Sequence, residues 1–90
     1  MSKGYLQIQK NIKIISIEQA DKSLYIEKFI PAKDVKYAFI FGNEVDGISD
    51  DIISVSDEVV EIPQVGTKHS LNVSVAAGIV LWDFFYKTEI

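Results

Sequence analysis

The chain has 90 residues, no cysteine, one histidine and a formal net charge of −4, which is room for one small domain that buries about 60% of its unfolded surface. No disulfide or cysteine-held zinc is possible, no metal is expected, and the scattered lysines lack the clustering that phosphate neutralisation needs, so strong RNA contact would have to come from residues outside these 90. Residues 1–10 contain no apolar core of the signal-peptide kind and the longest apolar stretch is interrupted by Asn72, Ser74 and Asp83, so a cytoplasmic protein without a membrane partner is expected.

Residues 5–10 are short and ambiguous, readable as the last turns of a helix that Asn11 ends, which would put the true start of the fold upstream. Residues 12–17 are rich in β-branched side chains and read as a strand, as do the apolar runs 37–41 and 59–62. Between the first two, residues 23–29 can be a helical turn or an extended segment, ended by Pro31. Between the second and third, Ser49 followed by Asp50 and Asp51 is the pattern of a capped short helix with acids in its first turn. The long final helix is expected over residues 70–86, with Ser70 as its N-cap.

Strands alternating with helices imply parallel pairing and an α/β fold, a parallel sheet with flanking helices. Ligands of such sheets bind beyond the carboxyl ends of the strands. Three segments leave those ends: Glu18 and Gln19, the loop from Gly42 to Gly47, and the segment from Pro63 to His69. The first glycine-bearing loop follows an apolar strand through Phe41 and Asn43, and it can be a simple tight turn or part of a ligand site. It matches no phosphate loop. Glu44, between the two glycines, can accept from ligand hydroxyls. After Ile62, Pro63 and Gly66 can end a strand and leave the Gln64 and Val65 backbone free to face an adenine or a ribose. His69 reads as an ordinary loop residue. Ser70, Asn72 and Ser74 stand where a buried helix would carry only apolar side chains, which marks a site.

The final helix is apolar nearly all round, from Leu71 and Val73 to Phe84 and Phe85, and such a helix must be covered on more than one side. A homodimer through it is expected, with Ala76, Ala77 and Gly78 allowing close approach; the alternative is that Trp82 and Phe85 pack only within one chain.

Residues 39–49, FIFGNEVDGIS, and 62–78, IPQVGTKHSLNVSVAAG, resemble the second and third motifs of the SpoU, or TrmH, branch of the SPOUT RNA methyltransferases. Glu18 and Gln19 after the first strand are also similar to members that methylate tRNA, so the resemblance covers about residues 5–86. It implies a deep trefoil knot, an exception to the rule that chains do not thread loops, a dimer with its site near the interface, and methyl transfer from S-adenosylmethionine to a ribose 2′-hydroxyl of tRNA or rRNA, with tRNA guanosine foremost. Glu44 resembles the family's second-motif glutamate, and Ser70 and Asn72 its third-motif serine and asparagine, which position the target. Phe41, Gly42, Asn43, Gly47, Ile62, Gln64, Gly66, Ser70 and Leu71 resemble the cofactor-binding positions.

Two departures stand out. Val45 occupies a position where many members have glycine, and the family's first motif, an asparagine followed by an arginine-bearing segment, is missing from a chain that contains no arginine. The chain therefore reads as the carboxyl-terminal, cofactor-binding portion of a longer methyltransferase. The other reading is a non-catalytic module that keeps cofactor binding or dimerisation.

Overall fold

The computed structural model describes residues 12–43, 45–64 and 72–90. Strand β1 (Ile12–Ile17) is followed by a two-residue strand β2 (Leu24–Tyr25), a 3-10 turn (Ile26–Lys28), β3 (Lys36–Phe41), helix α1 (Asp50–Val55), β4 (Glu58–Glu61) and helix α2 (Val73–Glu89). The three expected strands are present, β3 starting one residue early and β4 shifted one residue toward the amino end. Residues 23–29 take both of the forms their sequence allows, extended and then turned. The expected helix over residues 5–10 lies outside the described residues.

Two helix ends differ from expectation. Ser49 does stand at the N-cap of α1, where its carbonyl accepts from the amides of Ile52 and Ile53, but its hydroxyl makes no cap bond. Helix α2 starts at Val73 rather than residue 70 and runs to Glu89 rather than residue 86, and its cap is Asn72, not Ser70. Asn72 Oδ1 accepts from the Ser74 amide at 2.7 Å. Serine and asparagine cap equally well in isolation, so a Ser-x-Asn-x-Ser run leaves the start of a helix undecided until tertiary packing selects it.

All strands are parallel, in the order β2-β4-β1-β3. Strand β1 is therefore interior. It pairs along its whole length with β3, Ile12 opposite Lys36 and Ile17 opposite Phe41, but with β4 only from Ile15 opposite Glu58 onward. Asp57 fills the gap this stagger leaves: its amide donates to the Ile14 carbonyl at 2.7 Å, and its carboxylate accepts from the Ile14 amide at 2.7 Å. At the other end the Glu18 amide donates to the Val60 carbonyl at 3.0 Å, carrying the ladder one residue past the strand.

Alternation along the strands gives the sheet two faces. Ile15 and Val60 are almost wholly buried on one, with Phe29 beside them and Ile17, Tyr37 and Phe39 packed around. Phe29 meets Tyr37 and Phe39 edge-on, and α2 lays Phe84 against the same two rings at 5.5 Å between centroids. On the other face Ser16 is fully buried, its hydroxyl 2.5 Å from that of Ser56, which in turn donates to the Ile52 carbonyl of α1. No hydroxyl of this pair lacks a partner, so burial of Ser16 is tolerated.

Lys87 ties α2 to the chain ahead of β3. Its ammonium donates to the carbonyls of Ile26 and Phe29 at 2.7 and 2.8 Å and pairs with Asp83 at 2.7 Å, one turn earlier on the helix. With all three donors engaged, replacing it takes a partner from the Phe29 carbonyl and the Asp83 carboxylate, while the Ile26 carbonyl keeps the Phe29 amide at 3.1 Å. Lys87→Met is expected to lower unfolding free energy by about 2 kcal/mol, measured by urea denaturation, whereas Lys87→Arg recovers part of the loss.

Candidate functional site

The strand order determines where a ligand can enter. After β3 the chain leaves on one side of β1, and after β4 it leaves on the other, so the two exits diverge and open a crevice over the carboxyl end of β1. A cavity of about 270 Å³ lies there. Its floor is Ile17, Glu18 and Gln19; one wall is Phe41 to Asn43 with Val45 to Gly47; the other is Ile62 and Gln64, closed by Val73 and Ala76 from α2.

Of the residues singled out from sequence, Phe41, Gly42, Asn43, Gly47, Ile62 and Gln64 line this crevice. Glu44, Gly66, Ser70 and Leu71 lie outside the described residues, as do Val65 and His69. Asn72 is exposed, immediately before Val73. Its side-chain oxygen is committed to the helix cap, so only its amide nitrogen is free to donate outward.

The wall formed by the β3 loop is held by its own backbone. Asn43 Oδ1 accepts from the amides of Val45 and Asp46 at 2.8 and 2.6 Å, and the Gly47 amide donates to the Asn43 carbonyl at 3.0 Å. This side-chain mimic of a turn folds the loop back so that Gly47 lies against Gly42. A Cβ on Gly42 would stand 2.2 Å from the Gly47 carbonyl carbon, so no side chain fits there. Gly47 has φ +69°, and a Cβ on it would meet the Glu18 carboxylate at 3.0 and 3.3 Å.

The charge of the crevice is one-sided: Glu18 and Asp46 bring carboxylates, no lysine is among the described lining residues, and Gln19, Asn43 and Gln64 add neutral amides that can donate or accept. Gln64 Oε1 is buried without a hydrogen-bond partner among the described residues. A buried carbonyl oxygen left this way is costly unless something else donates to it. Glu18, which the sequence marks as a strand exit and as part of the family resemblance but not as a site residue, also lines the crevice; its signal is an acid terminating an apolar β-strand on the ligand edge of a parallel sheet.

An α/β domain with its pocket at the point where the strand order reverses has the architecture in which parallel sheets take up ligands. The particular family follows from likeness: residues 5–82 match the model of the SpoU rRNA Methylase family, and the chain belongs to that family. It is similar to the tRNA (guanosine(18)-2′-O)-methyltransferase of Aquifex aeolicus, 46% identical over 44 residues that make up 49% of this chain and 21% of that enzyme. It is also similar to tRNA (guanosine(18)-2′-O)-methyltransferase TARBP1 of Mus musculus, 35% identical over 84 residues, 90% of this chain and 5% of that protein. The crystal structure of the A. aeolicus TrmH/SpoU tRNA modifying enzyme superposes with a TM-score of 0.78 at 27% identity, over 94% of this chain and 43% of the other. The chain thus spans less than half the length of each of these relatives.

The two glycines predict different losses. Gly42→Ala is expected to cost about 3 kcal/mol or more, because backbone must move aside. Gly47→Ala is expected to cost only about 1–2 kcal/mol, the strain of a left-handed alanine, since the Glu18 carboxylate can swing away. Denaturant unfolding of both variants checks the order.

Proposed function

We propose that this chain is the cofactor-binding portion of an RNA ribose 2′-O-methyltransferase, with S-adenosylmethionine in the crevice over β1 and a tRNA guanosine as the foremost target. The single observation that carries the reading is the buried Gln64 oxygen, without a hydrogen-bond partner among the described residues, beside a backbone-closed glycine loop. An adenine amine can supply a donor to this oxygen, and the crevice, at about 270 Å³, stands just under the usual size range of small-ligand pockets. Phe41, Gly42, Asn43, Gly47, Ile62 and Gln64 would hold the cofactor, joined by Gly66, Ser70 and Leu71 from the following segment. When bound, S-adenosylmethionine supplies a methyl group activated by a positively charged sulfur.

The chain's own part is positioning. Alignment of an attacking oxygen with a methyl carbon accounts for much of the rate of such transfers, and the Asn43-locked loop keeps one wall of the site fixed. Glu44, Ser70 and the Asn72 amide nitrogen would orient the target ribose. The family resemblance assigns activation of the ribose hydroxyl to a first-motif arginine, and the chain has no arginine. That group belongs to the remainder of a longer enzyme, as do the cations that would bind RNA. The same absence of arginine favours a second reading, a module that binds cofactor without chemistry.

The working unit is a cytoplasmic homodimer through α2, threaded in the family's trefoil knot. Support for the dimer comes from the helix surface: Leu81 and Trp82 are 59% and 60% exposed, and Trp82 lies tilted against Phe85 and Tyr86 rather than entering the core. Exposed apolar area of this kind marks an interaction surface.

Calorimetry with S-adenosylhomocysteine is expected to give saturable binding to this chain, while labelled methyl transfer to bulk tRNA is expected to be absent. No heat from a folded sample overturns the cofactor reading, and robust transfer overturns the need for an outside arginine. In sedimentation velocity the wild-type chain is expected to dimerise with rising concentration and Trp82→Glu to remain monomeric; a wild type that stays monomeric throughout overturns the α2 interface.

A further inference from the structure

The cofactor reading leaves unused the most constrained acid of the crevice. Glu18 is the residue that follows the central strand, and its backbone is fastened by the bond from its amide to the Val60 carbonyl. Its side chain reaches across the crevice floor from β1 to the β3 loop, where both carboxylate oxygens lie over Gly47. Gly47 offers no side chain to meet it, and the Gly47 amide is already spent on the Asn43 carbonyl. Among the described residues the one ion pair is Lys87 with Asp83, so no lysine there neutralises Glu18.

We infer that Glu18 is the acceptor for the two ribose hydroxyls of the bound nucleoside. An ionised carboxylate offers two oxygens side by side and accepts only, which matches a pair of neighbouring hydroxyl donors. A second, independent acceptor stands on the opposite wall of the same cavity, the buried oxygen of Gln64, which needs one donor. Adenosine carries its diol and its exocyclic amine at opposite ends of the nucleoside. With Glu18 on the diol and Gln64 Oε1 on the amine, the ligand lies with its ribose over Gly47 and its base toward β4. Glu18 is a binding and specificity residue and takes no part in bond making.

This inference rests on the cofactor reading, and the test separates the two. Binding of S-adenosylhomocysteine, adenosine and 2′,3′-dideoxyadenosine is measured by calorimetry on the wild-type chain and on Glu18→Gln, with thermal transitions recorded for both. Wild type is expected to prefer adenosine over the dideoxy form by about tenfold to a hundredfold. That preference is expected to collapse in Glu18→Gln, which keeps the shape and loses the charge, and its affinity for S-adenosylhomocysteine is expected to fall by a similar factor. Wild type that binds S-adenosylhomocysteine yet treats the two nucleosides alike overturns the inference and leaves the cofactor reading standing. So does a Glu18→Gln variant that discriminates as wild type does. The nucleoside comparison on wild type requires no substitution, so a misfolded variant does not rescue the idea. A folded wild type that binds none of the three overturns both.

Discussion

The structure depends on β1 being paired on both edges by strands that reach it out of step. Strand β3 runs beside it from end to end, whereas β4 starts three residues higher. Asp57 makes that stagger possible by supplying both an amide and a carboxylate to Ile14 where β4 has not yet begun. With its edges occupied, β1 can end only upward into the space between two diverging loops. The pocket is thus the geometric remainder of the strand order, and its floor, Ile17 to Gln19, is set before any ligand is considered.

Around that floor the chain divides its work between backbone and side chain. The β3 loop is stiffened by bonds it makes with itself, through Asn43 and the contact between Gly42 and Gly47, so it presents a wall of fixed shape. The selective groups come from the ends of β1 and β4 as oxygens. A site built this way is suited to holding a molecule that offers hydrogen-bond donors. The far end of α2 is held by Lys87 against the turn before β3, while its near end supplies Val73 and Ala76 to the crevice. One helix therefore joins the packing of the aromatic core to the shape of the site.

Much of this was legible in the sequence, and the parts that were not share a cause. Strands β1, β3 and β4 are runs of β-branched and aromatic residues whose pattern is local, and the carboxyl-edge rule then gathered the loops after them. The order of the strands is not local: nothing in residues 58–61 says that they insert on the free side of β1 rather than beside β3. For that reason the sequence places Glu18 at a strand exit without giving it a role, because an acid after a strand matters to a site only once the strand is known to be central. The start of α2 was misjudged at Ser70 because three candidate caps follow one another, and the packing of Val73 and Ala76 at the crevice is not visible in the capping residues themselves. Residues 23–29 were ambiguous because so short a strand has no periodicity of its own and is extended only because β4 offers an edge.

One feature of the β3 loop has a practical consequence. Val45 lines the mouth of the crevice yet is 86% exposed, and its backbone amide is fixed by Asn43. Its side chain touches the entrance without supporting the fold. Since the chain has no cysteine, a single thiol placed at this position would carry a fluorophore or spin label at one defined point, and the protein could then act as its own optical gauge of occupancy.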